Sequence, residues 1–145
     1  MLSRTGTYAL QATLYLAGRA DRGAIPASEI AAELQAPAQY MGKVLRRLAG
    51  IGLLESTRGV RGGYRLVALP AEISVADVVN PFDGYEPPKA CLMGGRCNLD
   101  DPCSAHARRL EWIEAQRQIL RNTTIAELLS SDVREAAEAL QAPTD

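Results

Sequence analysis

The most reactive side chains of this 145-residue chain lie close together in the sequence. Its three cysteines and its only histidine fall within residues 91–106, with the spacing C-x5-C-x5-C-x2-H: Cys91, Cys97, Cys103 and His106. Thiolate sulfur and imidazole nitrogen bind zinc and iron-sulfur clusters, and thiolates also react with oxidants. The segment therefore predicts either a metal centre or a thiol-based redox site.

The spacing alone leaves three interpretations open. Three sulfurs and one nitrogen satisfy tetrahedral zinc or an iron-sulfur cluster, and the thiols can instead stay reduced in a disordered loop. A disulfide framework is not expected, because the cysteine count is odd and the chain shows no secretory signal. Cys103 and His106 flank the predicted start of a helix, which Ser104 is expected to cap and whose positive end favours thiolate.

The charge of the chain is divided unevenly. The net charge is -1, yet residues 1–70 carry nine Lys and Arg against four Asp and Glu, whereas residues 71–145 carry seven against thirteen. A polyanion would therefore be attracted to the first half. This asymmetry indicates nucleic-acid binding only if the cations converge on one structural element.

Apolar residues recur at helical intervals through the first half. The periodicity predicts a helix over 4–19 capped by Ser3 and a short helix over 28–34. A third helix follows a turn over 35–37 and ends at Gly50 and Gly52, with Pro37 suited to its first turn. One side of the third helix is apolar and the opposite side is polar and cationic. The apolar side consists of Met41, Val44, Leu45 and Leu48, and the opposite side of Gln39, Lys43 and Arg46.

Two short strands are predicted after the third helix, over residues 53–56 and 64–67, around a glycine-rich turn that holds Arg58 and Arg61. A short helix, a turn, a longer helix and a basic hairpin form the pattern of a winged helix-turn-helix. In that fold a helix addresses base edges in the major groove, while arginines on the hairpin reach phosphates or the minor groove. The alternative is an ordinary amphipathic core helix with a solvated outer face.

The second half begins with a connector and a loop. Ser74 and Asp77 are placed to cap a short helix, and Thr124 and Glu127 predict a similar cap for a last short helix. Residues 81–103 hold four of the eight prolines and three glycines, so no regular element is expected there. The fold class is therefore expected to be mainly α with a small β-hairpin wing.

A long helix is predicted over residues 104–121. Its apolar stripe consists of Leu110, Ile113 and Leu120, with Trp112 and Ile119 beside it. Such a stripe needs a partner surface, and the same helix of a second copy would supply one in a homodimer. Packing on the first helix of its own chain is the alternative. The tail after Ser131 is expected to be frayed or disordered.

Motifs spread over nearly the whole chain resemble one known family. They are SEIAAEL at residues 28–34, YMGKVLRRL at 40–48, RGVRGGY at 58–64, ISVADV at 73–78 and the cysteine-histidine pattern. On these motifs the chain resembles the IscR/NsrR family of winged-helix transcription regulators. Known members of that family are homodimeric bacterial proteins that sense cluster status, iron, nitric oxide or redox stress.

The resemblance implies a site for each partner. It implies an iron-sulfur cluster, with 2Fe-2S favoured and 4Fe-4S as the alternative, bound by Cys91, Cys97, Cys103 and, as in the IscR branch, His106. It also implies that a palindromic operator in double-stranded DNA is bound by Ser28, Gln39, Tyr40, Lys43, Arg46, Arg58 and Arg61. A zinc-binding or cluster-free thiol-sensing winged-helix regulator is the alternative.

The same resemblance divides the chain into three parts. They are a winged helix-turn-helix DNA-binding domain over 1–70, a connector helix with a cluster-binding loop over 71–103, and a dimerisation helix, a short helix and a tail over 104–145. Two positions depart from the family. Thr7 and Tyr8 stand where the nitric-oxide-sensing branch carries a carboxylate ligand, which favours His106 as the fourth ligand. Gly42 stands where the IscR branch carries a glutamate that discriminates DNA sites, which implies a different target sequence.

Other classes of protein find little support in the sequence. No apolar run approaches the roughly 18–20 residues of a membrane span, so we expect a cytoplasmic protein with no membrane partner. The four cysteines usual for ferredoxins are absent, which argues against an electron carrier. Enzymatic hydrolysis is not expected, because no nucleophile arrangement and no phosphate-binding glycine loop is present.

Overall fold

The computed structural model describes residues 2–84, 98 and 100–129. Within these residues the chain is mainly helical with one two-stranded antiparallel hairpin, which confirms the predicted fold class. The elements are α1 (Arg4–Ala17), α2 (Ala27–Glu33), α3 (Ala38–Gly50), β1 (Leu54–Thr57), β2 (Gly63–Leu66), α4 (Val75–Val79), α5 (Ser104–Asn122) and α6 (Ile125–Leu128). The predictions for most of the loop after residue 84 and for the tail after Ser131 lie outside the described residues.

Helix α1 forms the centre of the molecule. Ser3 caps it as predicted, because its side-chain oxygen accepts a hydrogen bond from the Gly6 backbone N–H at 3.0 Å. The helix ends at Ala17, two residues before the predicted end, and Gly18 closes it with a backbone hydrogen bond to Leu14. α1 packs against α3, β2, α4 and α6, so elements from both halves of the chain meet on it.

The second and third helices start at prolines. Pro26 and Pro37 occupy the N-cap positions of α2 and α3, with φ values of -61° and -59° that the pyrrolidine ring imposes. Pro37 therefore precedes α3 rather than lying in its first turn as predicted, a shift of one residue that is within the usual uncertainty of helix ends. α2 packs against α3 with Ile30 and Leu45 fully buried, which gives the helix-turn-helix arrangement.

Within the described residues, one hydrophobic core cluster joins the two halves of the chain. Its members include Leu16 of α1, Leu48 of α3, Val78 of α4 and Ile125 of α6, all of which are buried. Paired backbone contacts also join the connector to the end of the chain, since the Ile125 N–H donates to the Ile73 carbonyl at 2.9 Å. The second half of the chain and the helix-turn-helix therefore share one set of packed side chains.

Both predicted capping boxes are present. Ser74 and Asp77 exchange hydrogen bonds at the start of α4, and Thr124 and Glu127 do so at the start of α6. In each box the short side-chain oxygen accepts from a backbone N–H of the first turn, and the acidic side chain accepts from the capping residue. These local bonds stabilise helices that are too short to form alone.

An ion pair joins α2 to the turn after α1. Arg22 donates to both carboxylate oxygens of Glu29, at 2.5 and 3.2 Å, and the Tyr15 hydroxyl donates to the same carboxylate at 3.2 Å. The hydrogen bond from Arg22 is the main reason that the pKa of Glu29 lies below its ordinary value. Burial raises the pKa of Tyr15. The group fixes α2, and with it the turn to α3, relative to α1.

Helix α5 is long and mostly uncovered. It packs against α4, yet His106 is its only buried residue among those described. Leu110, Ile113 and Leu120 are half-buried, whereas Trp112 and Ile119 are 59% and 64% exposed.

The predicted cap of α5 is wrong by one residue. Cys103, not Ser104, takes the N-cap position, because its extended backbone (φ -60°, ψ 159°) precedes the first helical residue. Ser104 is therefore the first residue of the helix itself. No helix in the described part of the chain has the length and apolar character to cross a membrane.

Candidate nucleic-acid interface and candidate metal centre

Helix α3 carries three of the predicted DNA-binding side chains on one side. Its apolar stripe is buried as predicted, with Met41 and Leu45 fully enclosed. Gln39, Lys43 and Arg46 are exposed, and their spacing of i, i+4, i+7 places them in one row along the helix. The row is polar and cationic and about two turns long, which matches what the DNA major groove accepts.

Ser28 and Tyr40 occupy different surroundings. Ser28 is exposed in the first turn of α2. Tyr40 is half-buried at the start of α3, where its ring meets that of Tyr8 edge to face with centroids 5.7 Å apart and its hydroxyl bonds to the Thr5 hydroxyl. These contacts fix the start of α3 against α1, so Tyr40 positions the row of exposed side chains as well as bordering it.

The β1–β2 hairpin holds Arg58 and Arg61 beside the helices. Both arginines are exposed in the connection between the strands, and neither has a carboxylate partner among the residues that the structure describes. Ile25 and Tyr64 exchange two backbone hydrogen bonds, of 2.9 and 2.8 Å, which tie β2 to the segment before α2. Gly63 is needed at this contact, because its φ is 153° and a Cβ there would lie 2.3 Å from the Ile25 backbone.

The candidate metal centre is described in part. Cys91 and Cys97 lie outside the described residues, whereas Cys103 and His106 lie at the start of α5. His106 is 1% exposed, and neither of its ring nitrogens has a hydrogen-bond partner among the described residues. Burying such a polar group without a partner costs roughly 1–3 kcal/mol, so a ligand for the imidazole is expected.

The donor types fit the predicted group. An exposed thiol at Cys103 and a buried imidazole three residues later are soft donors that suit zinc or an iron-sulfur cluster. In the described ranges no group of three potential ligand side chains gathers at one point, so a centre that included these two residues would need further ligands. Cys91 and Cys97 are the remaining candidates.

The segment that leads into the cysteine-containing loop is tied to both α1 and α3. Arg47 of α3 donates to the Pro81 carbonyl at 2.6 Å, and its guanidinium lies 5.5 Å from the centre of the Phe82 ring. The Asp83 carboxylate accepts a bifurcated hydrogen bond from the Ser3 backbone N–H, with its two oxygens at 3.1 and 3.2 Å, and so supports the start of α1. Residues 81–83 therefore contact the helix that carries the exposed row of Gln39, Lys43 and Arg46.

Sequence reasoning did not find these connections. Arg47 and Pro81 are 34 residues apart, and Ser3 and Asp83 are 80 residues apart, so no local pattern relates them. The sequence held only an indirect signal. Lys43 and Arg46 lie in the exposed row of α3, whereas Arg47 lies outside that row and so had no predicted role.

Comparison with known proteins agrees with this arrangement. Residues 2–131 match the Rrf2 family, described as an iron-dependent transcriptional regulator. An HTH-type transcriptional regulator of Aquifex aeolicus is 34% identical over 136 residues, which cover 90% of this chain and 92% of that protein. IscR of Klebsiella pneumoniae is 30% identical over 130 residues, which cover 90% of this chain and 80% of IscR.

A solved structure is similar over the same extent. CymR (YrzC), the global cysteine regulator of B. subtilis, superposes with a TM-score of 0.73 at 27% identity, covering 90% of this chain and 96% of CymR. Fold and interface thus define a winged helix-turn-helix transcriptional regulator, which is a DNA-binding protein and not an enzyme. The chain belongs to the Rrf2 family of winged-helix regulators, and the resemblance to IscR is confirmed.

Proposed function

We propose that the protein is a cytoplasmic homodimer that binds a palindromic operator and adjusts this binding to the state of an iron-sulfur cluster. The cluster would be bound by Cys91, Cys97, Cys103 and His106. The observation that carries the proposal is the burial of His106 with two unpartnered ring nitrogens, three residues after Cys103. The similarity to IscR is consistent with it.

The DNA-binding part of the proposal rests on α3 and the wing. In a dimer, two copies of α3 would enter successive major-groove half-sites about 34–36 Å apart, or a multiple of that. Lys43 and Gln39 would address base edges, while Arg58 and Arg61 on the hairpin would reach phosphates or the minor groove. The cationic first half of the chain would supply the attraction to DNA that depends on salt.

The dimer part rests on α5. Trp112 and Ile119 are seven residues apart, so they share one side of the helix, and both are more than half exposed. Large exposed apolar side chains on one side of a helix mark an interaction surface. A second α5 is the natural partner, because a self-complementary contact gives the two-fold symmetry that a palindromic operator requires.

Hydrogen bonds within the chain would connect the cluster site to the DNA-binding helix α3. When bound, a cluster supplies a centre whose loss or oxidation reports iron, oxidants or nitric oxide. Cys103 and His106 would hold it at the start of α5, while the Arg47–Pro81 and Ser3–Asp83 hydrogen bonds join the other end of the loop to α3 and α1. Ordering or releasing the loop would then alter the position or mobility of α3.

DNA binding is tested with a duplex that the protein selects from a random-sequence pool. Lys43→Ala is expected to weaken binding by roughly 5- to 150-fold in fluorescence anisotropy, the range of about 1–3 kcal/mol for a base contact. Arg19→Ala is the matched control, because Arg19 stacks on the Tyr15 ring at the far end of α1. Equal affinity of Lys43→Ala and wild type at every salt concentration would show that α3 does not enter the groove.

The metal centre is tested on protein purified without air. We expect iron and inorganic sulfide together with a visible absorption spectrum, and loss of that spectrum in Cys103→Ala with the far-ultraviolet circular dichroism unchanged. Zinc without iron, or an unchanged spectrum in Cys103→Ala, would contradict the assignment.

A second candidate function is a cluster-free regulator that responds through its thiols. It is favoured by the structural similarity to CymR, which is described as a global cysteine regulator, and by the exposure of Cys103. Protein that holds no metal, yet loses DNA affinity reversibly on mild thiol oxidation, would support this alternative.

A further inference from the structure

An open cavity of about 390 Å³ lies where the start of α1 meets the start of α3. Its lining residues are Arg4, Tyr8, Pro37, Gln39, Tyr40 and Lys43. Two of them are cationic, three carry hydroxyl or amide groups, and none of those described is acidic. A concave surface of this composition attracts an anion with hydrogen-bond acceptors.

The Arg4 side chain is held toward this cavity. Its guanidinium lies 5.7 Å from the centre of the Tyr8 ring, and its Nη2 donates to the Tyr8 hydroxyl at 3.4 Å. The hydrogen bond to Tyr8 is the main reason that the pKa of Arg4 lies above its ordinary value. Tyr8 is itself packed against Tyr40, which fixes the group relative to α3.

The position of the cavity identifies the anion. Gln39 and Lys43, which line it, also begin the exposed row of α3 that we place in the major groove. A groove is bordered on both sides by the sugar-phosphate backbone, so a cationic cavity beside the start of an inserted helix faces phosphates. This step rests on the proposed DNA-binding role of α3.

We propose that Arg4, oriented by Tyr8, binds a backbone phosphate of the operator next to the major groove that α3 occupies. Arg4 thereby adds α1 to the DNA interface and fixes the register of α3 on the duplex. Phosphate contacts of this kind carry no base information, so Arg4 contributes affinity and orientation and leaves sequence preference unchanged.

The test is a salt titration of operator binding, with the selected duplex and fluorescence anisotropy. Arg4→Ala is expected to weaken binding at least roughly tenfold, the scale of one charge-assisted hydrogen bond. It is also expected to reduce the slope of log K against log salt by about 0.9 for each phosphate that Arg4 neutralises in wild type. Base substitutions in the duplex should cost the same fold-change in Arg4→Ala as in wild type, and Arg4→Lys should restore most of the slope.

The control is Arg19→Ala, which removes an arginine that also stacks on a tyrosine of α1, at 3.8 Å, but lies outside the cavity. Its affinity and salt slope should match those of wild type. If Lys43→Ala weakens binding while Arg4→Ala behaves like Arg19→Ala, the phosphate contact is wrong and the DNA-binding role of α3 stands. If wild type binds no selected duplex, the proposed function itself fails.

Free anions provide the second discriminating measurement. Inorganic phosphate at millimolar concentration should not raise the melting temperature of wild type more than that of Arg4→Ala. A larger rise in wild type, together with unchanged DNA affinity in Arg4→Ala, would show that the cavity binds a small anion, and the proposal would be overturned.

Discussion

Helices α3 and α5 are both amphipathic, yet they bury their apolar sides in different ways. In α3 the residues Met41, Val44, Leu45 and Leu48 are at most 2% exposed, because α1, α2 and β1 cover them. In α5 two large apolar side chains, Trp112 and Ile119, stay more than half exposed, while Leu110, Ile113 and Leu120 are half-buried.

This difference in burial supports the separate roles that we propose for the exposed sides of α3 and α5. The apolar side of α3 is covered by other elements of the same chain. Its outward side is polar and cationic, which suits a charged ligand. α5 is covered by α4 only in part, so its outward side retains apolar area that a second protein surface would bury. The side that remains exposed thus differs between the helix that we propose to bind DNA and the helix that we propose to dimerise.

The largest expected effect comes from truncating a buried residue of α3, and it is compared with truncating an exposed residue of α5. Leu45→Ala should lower the free energy of unfolding by about 2–5 kcal/mol at every protein concentration, because it leaves a cavity in the core. Ile119→Ala should lower the free energy of unfolding only where dimers form, so its effect should grow with protein concentration. Chemical denaturation at several concentrations measures both. An Ile119→Ala effect that is independent of concentration would place the partner of α5 within its own chain.

A charge on the exposed side of α5 should break the dimer. Ile119→Glu is expected to give a folded monomer by analytical ultracentrifugation and roughly a hundredfold loss of operator affinity, because two linked half-sites no longer bind together. Gln118→Glu is the matched control, since Gln118 is an exposed polar neighbour about 100° away around the helix. A dimeric Ile119→Glu would exclude this side as the interface.

Gly42 provides a smaller test on the exposed side of α3. A Cβ at Gly42 would meet nothing within 4 Å, so Gly42→Ala should raise the free energy of unfolding by about 1 kcal/mol through helix propensity. The same methyl group lies beside Lys43 and should weaken operator binding several-fold. Gly50→Ala, at the last residue of α3 and equally open, should stabilise without changing DNA affinity. Unchanged DNA binding in Gly42→Ala would remove this position from the interface.

The smallest expected effect concerns the contacts that hold α2 and α3 in place within one chain. The folded state lowers the pKa of Glu29, mainly through Arg22, so it favours the carboxylate. The resulting stabilisation is present above the unfolded-state pKa and is lost as the pH falls through the lower folded-state value. Between about pH 5 and pH 3 the melting temperature of wild type should therefore fall further than that of Glu29→Gln. Parallel curves for the two proteins would show that the ion pair does not contribute.

Much of the fold could be predicted because its determinants are local. The spacing of apolar residues located α1, α2, α3 and α5 within two residues of their observed ends, and the Ser74–Asp77 and Thr124–Glu127 pairs indicated the caps of α4 and α6. The buried stripe of α3 was likewise predicted from spacing alone.

The contacts between distant segments could not be predicted. The hydrogen bond from Ser3 to Asp83 joins residues 80 positions apart. The burial of His106 depends on how α5 lies in the fold. The cavity at Arg4 and Tyr8 arises from the packing of α1 on α3, which periodicity within either helix does not specify. The types and spacing of the four candidate metal ligands were visible in the sequence, and their assembly into one centre stays a prediction.

In our proposal the candidate metal ligands at the start of α5 and the outward side of α3 form one switch. It is tested most directly by measuring, on the same selected duplex and at one salt concentration, the affinity of protein that carries its full metal complement and of protein stripped of it. We predict a difference of roughly 5- to 150-fold, the range of ordinary allosteric coupling. Equal affinities for the two forms would contradict the claim.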